Sequence, residues 1–126
     1  MRLQYADFIR KGEGLTQSPV VTNLLDANIM YLTVISESDP SVSIEAMTGD
    51  DPVNGTWLDI VAMMPDGTVD SKITVNGLYS VPIGGVRYLR VNSDSADDTL
   101  EVYGSFTNAA CAMAAQTEEA AQDGEG

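Results

Sequence analysis

Between residues 20 and 108, short apolar-rich segments alternate with turn signals, and nothing between them has the length or 3.6-residue period of a helix. This rhythm constrains the fold more than any other feature. Candidate strands are 20–25, 29–36, 41–47, 56–63, 72–75, 78–83, 87–92 and 99–107. They are separated by Asp26-Ala27-Asn28, Ser38-Asp39-Pro40, residues 49–55, Pro65-Asp66-Gly67, Asn76-Gly77, Gly84-Gly85 and residues 94–98. Asn76-Gly77 tolerates positive φ at both centres of a type I′ turn and predicts a tight hairpin, and Asp66-Gly67 predicts another. Pro40 and Pro52 lack an N–H donor and stop a ladder.

Period-2 alternation assigns faces. Val42, Ile44 and Ala46 share one side of their segment, with Ser41, Ser43 and Glu45 on the other. Leu100, Val102, Gly104 and Phe106 alternate with Thr99, Glu101, Tyr103 and Ser105, while Leu89 and Val91 point away from Arg90. With no helical crossover to join parallel strands, the pattern predicts an all-β, antiparallel β-sandwich, jelly-roll-like in its strand rhythm. A chain of 126 residues suits one such domain.

The flanks differ from this body, and the chain divides into 1–19, 20–108 and 109–126. Residues 1–11 hold Arg2, Arg10 and Lys11 against Asp7 alone, half of the 6 Lys+Arg in a chain of net charge −13. The strand rhythm of the body does not account for this basic and apolar segment. Either it folds onto the same domain as a strand or cap, or it is an extended arm that docks on a partner through Leu3, Tyr5, Phe8, Ile9, Arg10 and Lys11. On the arm reading, removing residues 2–11 leaves a folded body that no longer attaches. The Ala-rich, acidic segment 109–126 has high helix propensity but few large apolar residues, which predicts a short docked helix or a disordered tail.

Composition narrows the chemistry. The chain has no His and one Cys, Cys111, so Ser-His-Asp, Cys-His and His-metal arrangements and internal disulfides are excluded. Its acidity opposes a nucleic-acid surface, which needs clustered Lys and Arg. No apolar run is long enough for a membrane helix, and the start lacks the apolar core of a signal peptide. Synthesis in a reducing cytosol is the simplest expectation. Asp50-Asp51 and Asp94, Asp97 and Asp98 lie in loops where carboxylates can hold Ca²⁺, but EF-hand spacing is missing and Asx-turn use is the simpler reading. Asp59 beside Trp57 reads as a solvated strand acid rather than half of a glycosidase pair. Trp57, with loops 48–55 and 92–98, is a candidate ligand platform for stacking on a sugar. No cofactor motif occurs; Gly84-Gly85 lacks the Gly-Lys-Ser/Thr of a phosphate loop.

The stretch Ile73-Thr-Val-Asn-Gly-Leu-Tyr-Ser-Val-Pro-Ile-Gly-Gly-Val-Arg-Tyr-Leu-Arg-Val-Asn92 resembles small β-sandwich modules of tailed-bacteriophage virions, and Val42-Ser-Ile-Glu-Ala and Asn54-Gly-Thr-Trp-Leu add to the likeness. The resemblance covers roughly 20–108, with Gly77, Tyr79, Val81, Gly85, Tyr88, Leu89, Arg90 and Val91 at matching positions. It implies architectural roles there: glycines in turns, Tyr and Leu in the core, Arg90 paired with an acid. It also implies a non-enzymatic virion protein of the capsid decoration or cement, head-fibre or tail accessory type. The partners implied are the major capsid protein or other virion subunits, and the assembly a homotrimer, with no cofactor, metal, nucleic acid or membrane. The alternative is a glycan-binding module centred on Trp57.

Overall fold

A computed structural model describes residues 4–22, 24, 27–64 and 66–108. The proposed C-terminal helix or tail, with Cys111, lies outside them, as does Leu3. Among the described residues there are strands and no helix: β1 (Tyr5–Ile9), β2 (Ile29–Ile35), β3 (Val42–Met47), β4 (Leu58–Ile60), β5 (Ala62–Met63), β6 (Val69–Asp70), β7 (Lys72–Ile73), β8 (Gly77–Pro82), β9 (Tyr88–Ser93) and β10 (Glu101–Thr107).

These strands make two sheets, and every pairing is antiparallel. The larger has six strands in the order β1-β10-β2-β8-β5-β6. In the smaller, β9 pairs with the whole of β3, Val42 to Met47. A strand has only two edges, so β4 and β7 divide the other one, β4 opposite Ile44–Ala46 and β7 opposite Val42 and Ser43. The alternation in sequence becomes burial. Val42, Ile44 and Ala46 of β3, Leu89 and Val91 of β9, and Val102, Gly104 and Phe106 of β10 all face inward. The apolar side chains among them belong, together with Met30, Leu32 and Val34 of β2 and Tyr79 and Val81 of β8, to one buried cluster that draws on both sheets.

Four local expectations are corrected. Segment 56–63 is two strands in different sheets, β4 on β3 and β5 on β8, with the chain changing sheet at Val61. Asn76-Gly77 is no hairpin, because β7 belongs to the smaller sheet and β8 to the larger. Asn76 clamps the end of β2 instead, its Oδ1 accepting from Ser36 N at 3.0 Å and its Nδ2 donating to Ser36 O at 2.8 Å. That side chain supplies the backbone pairing a strand neighbour would give. The Asp66-Gly67 turn does form, with Gly67 at φ 91° and Met64 N donating to Thr68 O at 2.9 Å between β5 and β6. In segment 20–25 the described residues 20–22 and 24 form no strand: residues 16–21 follow the outer edge of β9 through the separate bridges Gln17–Asn92 and Val21–Leu89. Pro19 has no N–H to continue a ladder between them.

The fourth correction concerns the arm reading of the N-terminal segment, whose alternative, a strand folded onto the same domain, is what forms. β1 is an edge strand of the larger sheet, with Tyr5 opposite Ser105, Ala6 opposite Gly104 and Asp7 opposite Tyr103. The register then slips so that Ile9, not Phe8, stands opposite Val102. This bulge turns two successive side chains inward, and Phe8 and Ile9 are 1% and 0% exposed. They fill the core of their own chain and cannot anchor a partner. Removal of residues 2–11 therefore takes away an edge strand and two core side chains, which would destabilise the body rather than leave it intact.

Candidate binding surfaces

Of the N-terminal residues proposed to dock, the backbone leaves Tyr5, Arg10 and Lys11 at the surface. Tyr5 is 71% exposed on the outer side of the larger sheet. Arg10 Nε donates to Asp7 Oδ2 at 3.3 Å, three residues back across the bulge. Arg10 N donates to Glu13 Oε1 at 2.5 Å, and Gly12, at φ 93°, donates its N–H to Asp98 O at 2.7 Å, which ties the turn to the loop before β10.

Trp57 precedes β4 and is half-buried. Its Nε1 donates to Pro52 O at 3.1 Å, and the Arg90 guanidinium stands 4.1 Å from the ring centroid. One face of the ring is thus occupied by a cation. Arg90 Nε also donates to Glu45 Oε1 at 2.8 Å, and Asn92 Nδ2 donates to the same oxygen. Burial pushes the Glu45 carboxyl up, but the Asn92 and Arg90 hydrogen bonds and the Arg90 charge outweigh it and hold Glu45 below its ordinary value. Register lines up Arg90, Glu45 and Asp59 in one row across the outer side of the smaller sheet, with Asn92, Ser43 and Lys72 in the next. That side is polar and internally paired. The two loops grouped with Trp57 are not neighbours: loop 48–55 follows Met47, opposite Tyr88, whereas loop 92–98 leaves β9 beside Ser93, opposite Val42. They lie at opposite ends of β3, about 20 Å apart along a strand of this length. An open groove of about 300 Å³ does lie along loop 48–55, between Met47, Asp50, Leu58 and Val86, but Trp57 does not line it.

The loop acids act on their own backbone. Asp51 Oδ1 accepts from Val53 N at 3.1 Å and Asn54 N at 3.0 Å, and Asp66 Oδ1 accepts from Thr68 N at 3.0 Å. These are Asx turns. Asp97 goes further, joining two chain segments. Oδ1 takes Thr99 N at 2.9 Å and Thr99 Oγ1 at 2.7 Å, while Oδ2 takes Ser36 Oγ and Ser38 Oγ, each at 2.7 Å. Those donors, Thr99 Oγ1 first, hold its carboxyl well below the usual carboxylate range. Asp94 is lowered chiefly by the Lys72 ammonium, at 2.7 Å, and by Ser41. Among the described residues, no three acids or thiols converge as a metal cage.

Beside Tyr5, the outer side of the larger sheet carries apolar residues that the pattern along the chain did not single out for binding. Register places Tyr5, Ser105, Tyr31, Ser80, Met63 and Val69 in a single row across all six strands. The adjacent row is Asp7, Tyr103, Thr33 and Leu78, and beyond it Glu101 lies opposite Ile35. The Tyr103 hydroxyl donates to Glu101 Oε1, and this bond, with burial and the charges of Glu101 and Asp7, pushes the phenol up to about 12. A signal was present in β2, where Ile29-Met-Tyr-Leu-Thr-Val-Ile is apolar on both parities, so its outward side was never a polar one.

Among the described residues the architecture is all-β, two antiparallel sheets around a shared core, with a polar outer side on the smaller sheet and exposed apolar side chains on the outer side of the larger. The same fold occurs in the crystal structure of the SPBc2 prophage-derived protein YomS. The two match with a TM-score of 0.67 at 12% identity, over 81% of this chain and 89% of that one. No protein-family model matches the sequence, and no curated protein matches it.

Proposed function

We propose that this chain is a phage-related, non-enzymatic structural protein of the virion, a decoration or cement protein whose partner is the major capsid protein or another virion subunit. The observation that carries this reading is the fold shared with a prophage-derived protein over 81% of this chain. The Gly77–Val91 positions that resemble phage virion modules support it: Tyr79, Val81, Leu89 and Val91 are core, Gly85 sits in a turn at φ 83°, and Arg90 pairs with Glu45. In this proposal the two sheets pack as a sandwich that serves as a rigid wedge between neighbouring subunits. A protein that binds the assembled lattice and not its free parts shifts the equilibrium against disassembly. A homotrimer would multiply modest contacts into firm attachment.

The test is co-sedimentation of the purified chain with separately prepared heads and tails of the encoding phage, with light scattering of the free chain for its mass. Pelleting with heads alone supports the reading. Pelleting with neither particle overturns it, and turnover of a small molecule by the purified chain overturns its non-enzymatic part.

A further inference from the structure

The two outer sides of the protein differ in how much apolar surface they expose. On the smaller sheet, ionic and amide side chains satisfy one another through Arg90, Glu45 and Asn92. On the larger sheet, Tyr5, Tyr31, Ile35, Met63, Val69 and Leu78 are each at least 40% exposed. Composition alone does not create such a difference, since both sheets draw on the same chain. Four strands of five to seven residues and two of two residues, spaced about 4.8 Å apart at about 3.3 Å per residue, give this side an extent on the order of 400–500 Å², which these apolar side chains share with Ser80, Ser105, Thr33, Asp7 and Glu101 and which is large enough for an apolar contact patch of a few hundred Å². Its large side chains project from paired strands and have few rotatable bonds, so little ordering opposes contact. Tyrosine is also a residue type that carries binding energy at protein interfaces.

Charge selects the occupant. Among the described residues, the acids in these rows are Asp7 and Glu101, and Arg10 is bound to Asp7. A second copy of a chain of net charge −13 would bring acid against acid. We infer that the outer side of the six-stranded sheet docks a protein surface that is apolar at its centre and rimmed by lysine or arginine. This deepens the reading of the chain as a virion-binding protein by naming the contacting surface, and it rests on that reading for the identity of the partner.

The experiment uses the full chain, the variants Tyr31→Ser and Leu78→Lys, and the control Val53→Lys in the distant loop 48–55, each checked for unchanged circular dichroism. Two probes are run with all four proteins. The first is the assembled head, by co-sedimentation. The expected result is binding by the wild type that weakens with salt, an affinity loss of about 30-fold or more in Tyr31→Ser and Leu78→Lys, and no change in Val53→Lys. The second is a synthetic alternating Leu-Lys peptide, followed by NMR. It should shift the signals of Tyr5, Tyr31 and Leu78 saturably, and less at high salt. Head binding that both variants retain overturns the inference and leaves the proposed function standing. Absence of head binding by the wild type overturns the proposed function, and the peptide then decides the inference alone. Peptide shifts confined to the Glu45–Arg90 side, or none, overturn the inference. So does self-association lost in Tyr31→Ser, which would make the occupant a second copy. Saturable shifts of the same tyrosines by a neutral oligosaccharide but not by the peptide overturn it in favour of a glycan.

Discussion

Gly104 is a point of close approach between the N-terminal strand and the centre of the larger sheet. It lies in the middle of β10, opposite Ala6 of β1 on one side and Leu32 of β2 on the other. A Cβ there would stand 2.8 Å from Phe8 Cε2, 2.9 Å from Met30 Sδ and 3.3 Å from Met30 Cγ. Its φ is not in the left-handed region, so Gly104→Ala adds no backbone strain and would gain about 0.5–1 kcal/mol from a less free unfolded chain. Against that stands overpacking of a core in which Phe8 and Met30 are both fully buried, at about 1–3 kcal/mol. The ring edge has less freedom to move than the methionine sulfur, so the contact with Phe8 sets the cost. The balance is a net destabilisation of about 1–2 kcal/mol, a fall in Tm of roughly 3–10 °C for a chain of this size. Urea unfolding with a common m-value measures it. A cycle with Phe8→Leu isolates the cause: removing the ring edge should recover about 1 kcal/mol of the Gly104→Ala loss in the double variant. Gly104→Ala as stable as the wild type, or strict additivity in the cycle, would refute the reasoning and with it the placement of Phe8 against β10.

Three further outcomes are expected. Asp97 ionises more readily folded than unfolded, so the stability it contributes is complete above the ordinary aspartate range, near pH 4, and drains away as pH falls toward its own lower value. Between about pH 5 and pH 2.5 the wild type should therefore lose more thermal stability than Asp97→Asn; parallel curves would show that the Ser36, Ser38 and Thr99 contacts do not favour the charged form. Arg90→Gln removes the ionic partner of Glu45 in a pair whose side chains are only 20% and 18% exposed, and should cost about 2 kcal/mol, less when Glu45→Gln is already present. Equal losses in both backgrounds would mean that the pair does not interact. Asn76→Ala strips two hydrogen bonds from the Ser36 backbone and should cost about 1–2 kcal/mol with faster amide exchange at the end of β2, whereas an unchanged exchange rate there would deny the clamp.

Much of the inward side of the protein was legible along the chain. Alternation in 42–47, 89–91 and 100–106 named the residues that the structure buries, because a strand in a two-layer protein meets the core on one parity only. The Asp66-Gly67 turn was equally readable, since a positive φ at Gly67 is a property of one residue. Trp57 and its two loops were misgrouped for the converse reason: proximity in the turn pattern says nothing of which end of β3 a loop leaves from.

What the sequence determines by itself is local and compositional: strand-forming segments, the side of each that avoids water, and a functional inventory with no histidine. Tertiary structure alone decided that segment 56–63 changes sheets at Val61, that a bulge hides Phe8 along with Ile9, and that Arg90 meets Glu45 forty-five residues away. It also decided that Tyr5, Tyr31 and Met63 share one exposed row. A period of two records which side of a strand is buried and carries no record of its neighbour. Neighbours are chosen when all strands close around one core together, and the outer surface that results belongs to no single segment of the chain.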